Sequence, residues 1–268
     1  NLIICLQKKT DKHSISDMMN EKELLEWYLA AGVDAICGDV PGCLQQKAPP
    51  RERPTAVGET ASRPAITDLA QMSLKACKNA REVCEAAATL EELRAAVEAF
   101  DGCSLKLTSN KTVFGGGNPK AKIMIVGEAP GADEDRIGEP FVGRSGHLLD
   151  KMLTAVGLDR GKVYITNVLP WRPPGNRTPT SAEVAVCLPF LRRQIELMKP
   201  EIIMVLGGSA ANSLLDNEEP ISRLRGKWLE YKTLKGDTAA LLASFHPAYL
   251  LRNPAQKSKV WADLLRLA

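Results

Sequence analysis

Four short hydrophobic runs in this sequence end in residues able to read a polar ring or to steady a developing charge. "AKIMIVGEAPG" closes on Gly127-Glu128-Ala129-Pro130-Gly131, "VYITN" on Asn167, "EIIMVLGG" on Gly207-Gly208, and "AALLASFHPA" carries His246-Pro247. A carboxylate, an amide and an imidazole are among them. The amide offers both a donor and an acceptor, and a neutral imidazole offers one of each. A donor aimed at an oxygen that gains charge lowers a barrier electrostatically. Taken singly, Asn167 reads as a turn or cap residue and His-Pro as an ordinary loop. Their joint appearance at corresponding strand ends is what points to a site.

Two loops add to this set. "GEPFVGRSGHLLD" places Phe141 between glycines and puts Gly143-Arg144-Ser145-Gly146 at a helix start, where free N–H groups suit an anion. "NVLPWRPPGNRTPTSAEVAVC" is a loop with two arginines, Arg172 and Arg177, stiffened by adjacent prolines.

The elements that would hold these residues alternate. From residue 120, short strand-like runs are separated by helical stretches such as "GHLLDKMLTAVG" and "SAEVAVCLPFLRRQIELM", the latter with Ser181 at its N-cap. This is the pattern of a parallel sheet with helices on both faces, and such sheets bind ligands beyond the C-terminal ends of the strands. Upstream, "NEKELLEWYLAAGVD" predicts a helix ending at Gly32, residues 38–66 read as a Pro/Gly/Ala-rich linker, and two helices are expected at about 67–88 and 90–99. The expected organisation is an N-terminal helix and linker over 1–66, then an α/β domain over 67–268 whose residues 67–100 form a helical lead-in.

Composition narrows the class. With 35 Lys and Arg against 32 Asp and Glu, the net charge of +3 does not announce a polyanion partner by itself. Seven cysteines without a C-x-x-C pair give neither a disulfide framework nor a self-evident zinc site, so a reduced, cytoplasmic protein is expected. No apolar run approaches the roughly 20 residues of a membrane span.

Together, "GEAPGADED", "GEPFVGRSGHLLDKML", "YITNVLPWRPPGNRTPTSAEVAVC" and "SFHPAYLLR" resemble the ordered motifs of the uracil-DNA glycosylase superfamily, specifically its family 4 branch, from about Phe100 to the C-terminus. The resemblance implies a three-layer α/β/α fold around a four-stranded parallel sheet, preceded here by a helical N-terminal extension. It implies base excision repair: uracil is flipped from DNA, the N-glycosidic bond is hydrolysed, and free uracil and an abasic site are left. A monomer that is cytoplasmic, or nucleoid-associated in a bacterium, is expected.

The resemblance also assigns roles. Phe141 would stack on the flipped uracil, Asn167 would read its edge, Glu128 and Ala129 would line the pocket, and His246 would donate to uracil O2. The water-orienting group would be Glu128, Glu134 or Asp135, the last two being equally readable as solvated loop acids. DNA contacts would come from Arg144, Ser145 and Gly146, from Arg172, Asn176 and Arg177, and from Tyr249, Leu250 and Arg252, with Leu250 or Leu251 as an apolar wedge beside cations.

One departure concerns the cofactor. Family 4 members hold an iron–sulfur cluster on four cysteines, and the matching positions here are Phe100, Cys103, Trp171 and Cys187. Only two thiols remain, so no cluster is expected, and Phe100 and Trp171 are expected to fill its volume. Two rival readings stay open: a protein that binds uracil or abasic DNA without turnover, and the cross-linking branch of the superfamily, whose basic insertion and reactive histidine are missing from "PWRPPGNRTP". A nucleotide-binding domain lacks its glycine signatures.

Overall fold

Residues 66–267 are described in a computed structural model of the chain. The helix expected before Gly32 and the linker up to residue 65 lie outside the described residues. Two helices lead in, α1 (Ile66–Ala86) and α2 (Leu90–Ala99), the second capped by Thr89, whose hydroxyl accepts the Glu92 N–H. The sheet then alternates with helices: β1 (Gly116–Gly117), β2 (Ile123–Gly127), α3 (Ala132–Ile137), α4 (Arg144–Thr154), β3 (Val163–Asn167), α5 (Ser181–Met198), β4 (Ile202–Leu206), α6 (Gly208–Leu215), α7 (Ile221–Leu224), β5 (Trp228–Lys232), β6 (Thr238–Ser244), α8 (Pro247–Arg252) and α9 (Lys257–Leu264).

The strand order is β1-β3-β2-β4-β6-β5. The expected four parallel strands, β3, β2, β4 and β6, form the centre. Two antiparallel edge strands, β1 and β5, extend them, so the sheet is mixed and six-stranded rather than four-stranded. The central runs are almost wholly buried, as a sheet covered on both faces requires. Alternation within β2 shows the two layers: Met124 and Val126 join the core beneath α1, α2, α5 and α6, whereas Ile125 joins Leu149 and Leu153 of α4, Leu250 of α8 and Val260 of α9 on the other face.

The N-cap of α5 is Thr180, one residue before the Ser181 expected. The reason is its spacing from Glu183: Thr180 Oγ1 accepts the Glu183 N–H at 3.3 Å while Glu183 Oε2 accepts the Thr180 N–H at 2.8 Å, a reciprocal capping box. No helix among the described residues is long and apolar enough to cross a membrane.

Candidate active site

The parallel register sets Gly127 beside Asn167 and Leu206 beside Ser244, so the C-terminal ends of the central strands finish at one edge. The chain crosses from β2 to β3 on one side and then from β3 back past β2 to β4 on the other, and such a reversal opens a crevice at the strand ends. A pocket of about 410 Å³ lies there, framed by residues 128–131, Glu134, Phe141, Asn167 and His246, with the arginine loop and α8 at its rim.

Phe141 and His246 face each other with ring centroids 5.5 Å apart. Asn167 is 5% exposed, and its Oδ1 has no partner among the described residues. Gly127 is what leaves room for this pair: a Cβ there would lie 2.4 Å from Asn167 Oδ1 and 2.7 Å from Phe141 Cζ. His246 caps α8, its Nδ1 accepting the Ala248 N–H at 3.1 Å. That bond places the imidazole proton on Nε2, leaving Nε2–H as the free donor. His246 keeps some exposure, but its imidazole sits deep enough that removal from water, aided by Arg252, holds its pKa down to about 4, against a weak upward pull from Glu134. It is therefore neutral near pH 7.

Glu134 and Asp135, read from the sequence either as water-orienting groups or as solvated loop acids, are buried and engaged. Glu134 Oε1 accepts the N–H groups of Val142 and Gly143, both at 2.9 Å, and Oε2 accepts that of Gly131 at 3.1 Å. Asp135, 1% exposed, accepts from the Asn110 backbone at 2.8 Å and from its side chain at 2.6 Å, and it stands outside the pocket lining. A loop acid becomes buried when it supplies the acceptors that the adjoining backbone needs; Glu134 does this for the Phe141 loop and Asp135 for residues 110–111. Glu128 remains as a carboxylate of the pocket wall.

Around the rim, Ser145, Asn176, Arg177, Tyr249 and Arg252 line the pocket, whereas Arg144, Gly146, Arg172 and Leu250 do not. Arg144 is exposed beside it. Gly146 instead packs beneath the Phe141 carbonyl. Arg172 turns inward, its Nε donating to Asn176 Oδ1 at 2.7 Å and its Nη1 standing 4.0 Å from Asp135. Arg177 makes a two-pronged pair with Glu183, at 2.6 and 2.9 Å, which holds the Glu183 carboxyl down at about 2 and ties the loop to α5. Leu250, expected at the DNA interface, is 1% exposed and belongs to the core, whereas helical geometry turns its neighbour Leu251 outward to 39% exposure. Glu183 escaped the sequence reading, although Thr180-x-x-Glu183 carries the capping-box spacing.

The residues that the family 4 resemblance aligns with cluster ligands lie in one buried core. Phe100 and Trp171 stack with centroids 6.4 Å apart and ring planes 18° apart, and Phe190 meets both edge-on. Trp171 is fully buried, its Nε1–H donating to Thr112 Oγ1 at 3.1 Å. The Cys103 and Cys187 sulfurs are 3.8 Å apart, and their shared hydrogen bond and burial push the Cys187 thiol well up. Aromatic rings fill the space and two thiols are the donor set, so these residues do not fit a cluster held by four thiolates.

The profile of the uracil DNA glycosylase superfamily matches residues 114–265. The type-4 uracil-DNA glycosylase of Pyrobaculum aerophilum is 41% identical over 179 residues, 65% of this chain and 91% of that protein. Those of Archaeoglobus fulgidus (46% over 169 residues, 62% and 84%) and Thermotoga maritima (42% over 158 residues, 59% and 80%) are similar to the same extent. This α/β chain, with its pocket at the parallel strand ends, belongs to the uracil DNA glycosylase superfamily.

Proposed function

We propose that the protein is a uracil-DNA glycosylase of the base excision pathway that acts as a monomer and without an iron–sulfur cluster. What carries this reading is the buried Asn167 Oδ1, an acceptor without a partner at the wall of a pocket that also holds a ring face and a neutral imidazole donor. Uracil presents an N–H between two carbonyl oxygens. The Asn167 amide complements that edge, and the reversed pattern of cytosine would leave the amide's groups mismatched at real cost.

The uracil is extruded from the stack at a cost of a few kcal/mol and lies against Phe141. As the glycosidic bond lengthens, negative charge gathers on uracil O2, where His246 Nε2–H donates. The attacking water is oriented by Glu128, since the Glu134 carboxylate is occupied by three backbone N–H groups and Asp135 lies outside the pocket. Arg177, Asn176, Ser145, Tyr249 and Arg252 meet the DNA backbone, and Leu251, exposed beside Arg252, replaces Leu250 as the apolar side chain free to enter the vacated stack. All of these groups come from one chain.

The test is cleavage of a uracil-containing oligonucleotide, developed by alkaline strand scission, by the wild type, Asn167→Ala and His246→Ala, together with a visible absorption spectrum. Colourless protein that cleaves, with each variant slowed by on the order of 10²–10³-fold, is the expected result. Tight binding of uracil DNA without cleavage would move the assignment to a non-catalytic reader, and a brown protein would overturn the cluster-free reading.

A further inference from the structure

Among the described residues four non-glycine positions have positive φ, and Phe141, at 55°, is the only aromatic one. A bulky side chain seldom adopts that conformation, and it persists where its surroundings over-determine it. Here the peptide that follows Phe141 is gripped at both ends. Its N–H, that of Val142, donates to Glu134 Oε1, and its carbonyl oxygen accepts from Arg160 Nη2. Arg160 also donates through Nη1 to the Pro140 carbonyl at 3.1 Å, and through Nε to Asp150 Oδ1 on α4 at 2.8 Å. The absence of a side chain at Gly146 lets the carbonyl lie against α4, since a Cβ there would stand 1.8 Å from the Phe141 oxygen. Arg160 does not line the pocket, so it has no direct reach to a bound base.

We infer that Arg160 is a positioning residue for the base-stacking ring: oriented by Asp150, its guanidinium fork fixes the Pro140 and Phe141 carbonyls and so sets where the Phe141 ring stands. This rests on Phe141 stacking on the base. Lysine cannot replace it, because one ammonium does not reproduce a planar fork that meets two carbonyls and a carboxylate together.

A double-mutant cycle tests it, with Arg160→Gln, Phe141→Ala and the pair, read as single-turnover cleavage, KM for DNA and thermal melting, all below the melting point of each variant. R160Q should lower kcat by roughly tenfold or more while leaving KM close to wild type, because the phosphate contacts at the rim are untouched. R160K should recover only part of the loss, and F141A/R160Q should be no slower than F141A alone. Losses that multiply, or a change confined to KM, with F141A itself impaired, would overturn the positioning role alone. An F141A variant with wild-type turnover would overturn the stacking reading and the positioning role with it. If R160Q does not fold, the same cycle run with R160K decides between these outcomes.

Discussion

Gly127→Ala places a single methyl group where β2, β3 and the Phe141 loop meet. The added carbon would stand 2.4 Å from Asn167 Oδ1 and 2.7 and 2.8 Å from two Phe141 ring atoms, where real contacts of this kind essentially never fall below 3.0 Å. Asn167 sits at the end of a five-residue strand, all of it buried, and Phe141 is fixed by the bonds to its flanking peptide. Neither can move aside freely, yet restoring 3.0 Å requires the amide oxygen to give way by about 0.6 Å (3.0 less 2.4) and the ring by about 0.3 Å (3.0 less 2.7). Displacement on that scale costs up to about 10²-fold in rate when the displaced group orients the reacting centre. The strain itself should take about 1–3 kcal/mol from stability, as overpacking does. Single-turnover cleavage of a uracil oligonucleotide and a thermal melt measure the two effects separately. If G127A were folded and cleaved at the wild-type rate, the close approach of Asn167 and Phe141 across Gly127 would be irrelevant to catalysis and the reasoning would be wrong.

Trp171→Ala empties the centre of the Phe100–Trp171–Phe190 cluster and leaves Thr112 Oγ1 without its donor; about 3–5 kcal/mol should be lost, or roughly 6–20 °C in Tm at ~2–4 °C per kcal/mol. DNA affinity should fall with it, because Trp171 adjoins Arg172 of the rim loop, and a melt within about 2 °C of wild type would contradict the packing role. His246 is kept neutral in the fold with its pKa near 4, whereas the unfolded chain binds that proton near its ordinary 6.5. Its contribution to stability is therefore complete above pH 6.5 and is lost as pH falls through about 4, up to about 3 kcal/mol in all. Cleavage should hold level from neutral pH down to about 5 and then decline as His246 charges and its bond from the Ala248 N–H is broken; denaturant melts of wild type and His246→Ala across that range measure the stability part.

The central strands and flanking helices were legible because burial imposes a simple pattern on each. A parallel strand covered on both faces reads as an unbroken apolar run, and "IMIVG", "VYITN" and "IIMVL" do so. The edge strands carry no such mark. β1 is two glycines, and β5, "WLEYK", buries only Tyr231. Pairing with a neighbour, rather than composition, makes them strands.

The chemistry-bearing residues were legible by type: the sequence alone placed Asn167, His246, Phe141 and Glu128 at strand ends and loops that parallel topology must bring to one edge. It also aligned Phe100 and Trp171, rather than cysteines, with two of the positions that the family 4 resemblance assigns to cluster ligands. What it left undecided was which way each side chain turns. Leu250 and Leu251 are adjacent and alike, and only the helix phase against α4 and α9 buries the first and exposes the second. Glu134 and Asp135 were readable either as water-orienting groups or as solvent-facing acids, and only the fold brings unpaired backbone N–H groups to each. The grip of Arg160 on Phe141 joins residues 19 apart through a backbone conformation that no pattern of side chains encodes. Local chemistry and periodicity set the elements and the inventory of the site, while direction, burial and hydrogen-bond partnership depend on long-range contacts and were decided only when the chain closed around its sheet.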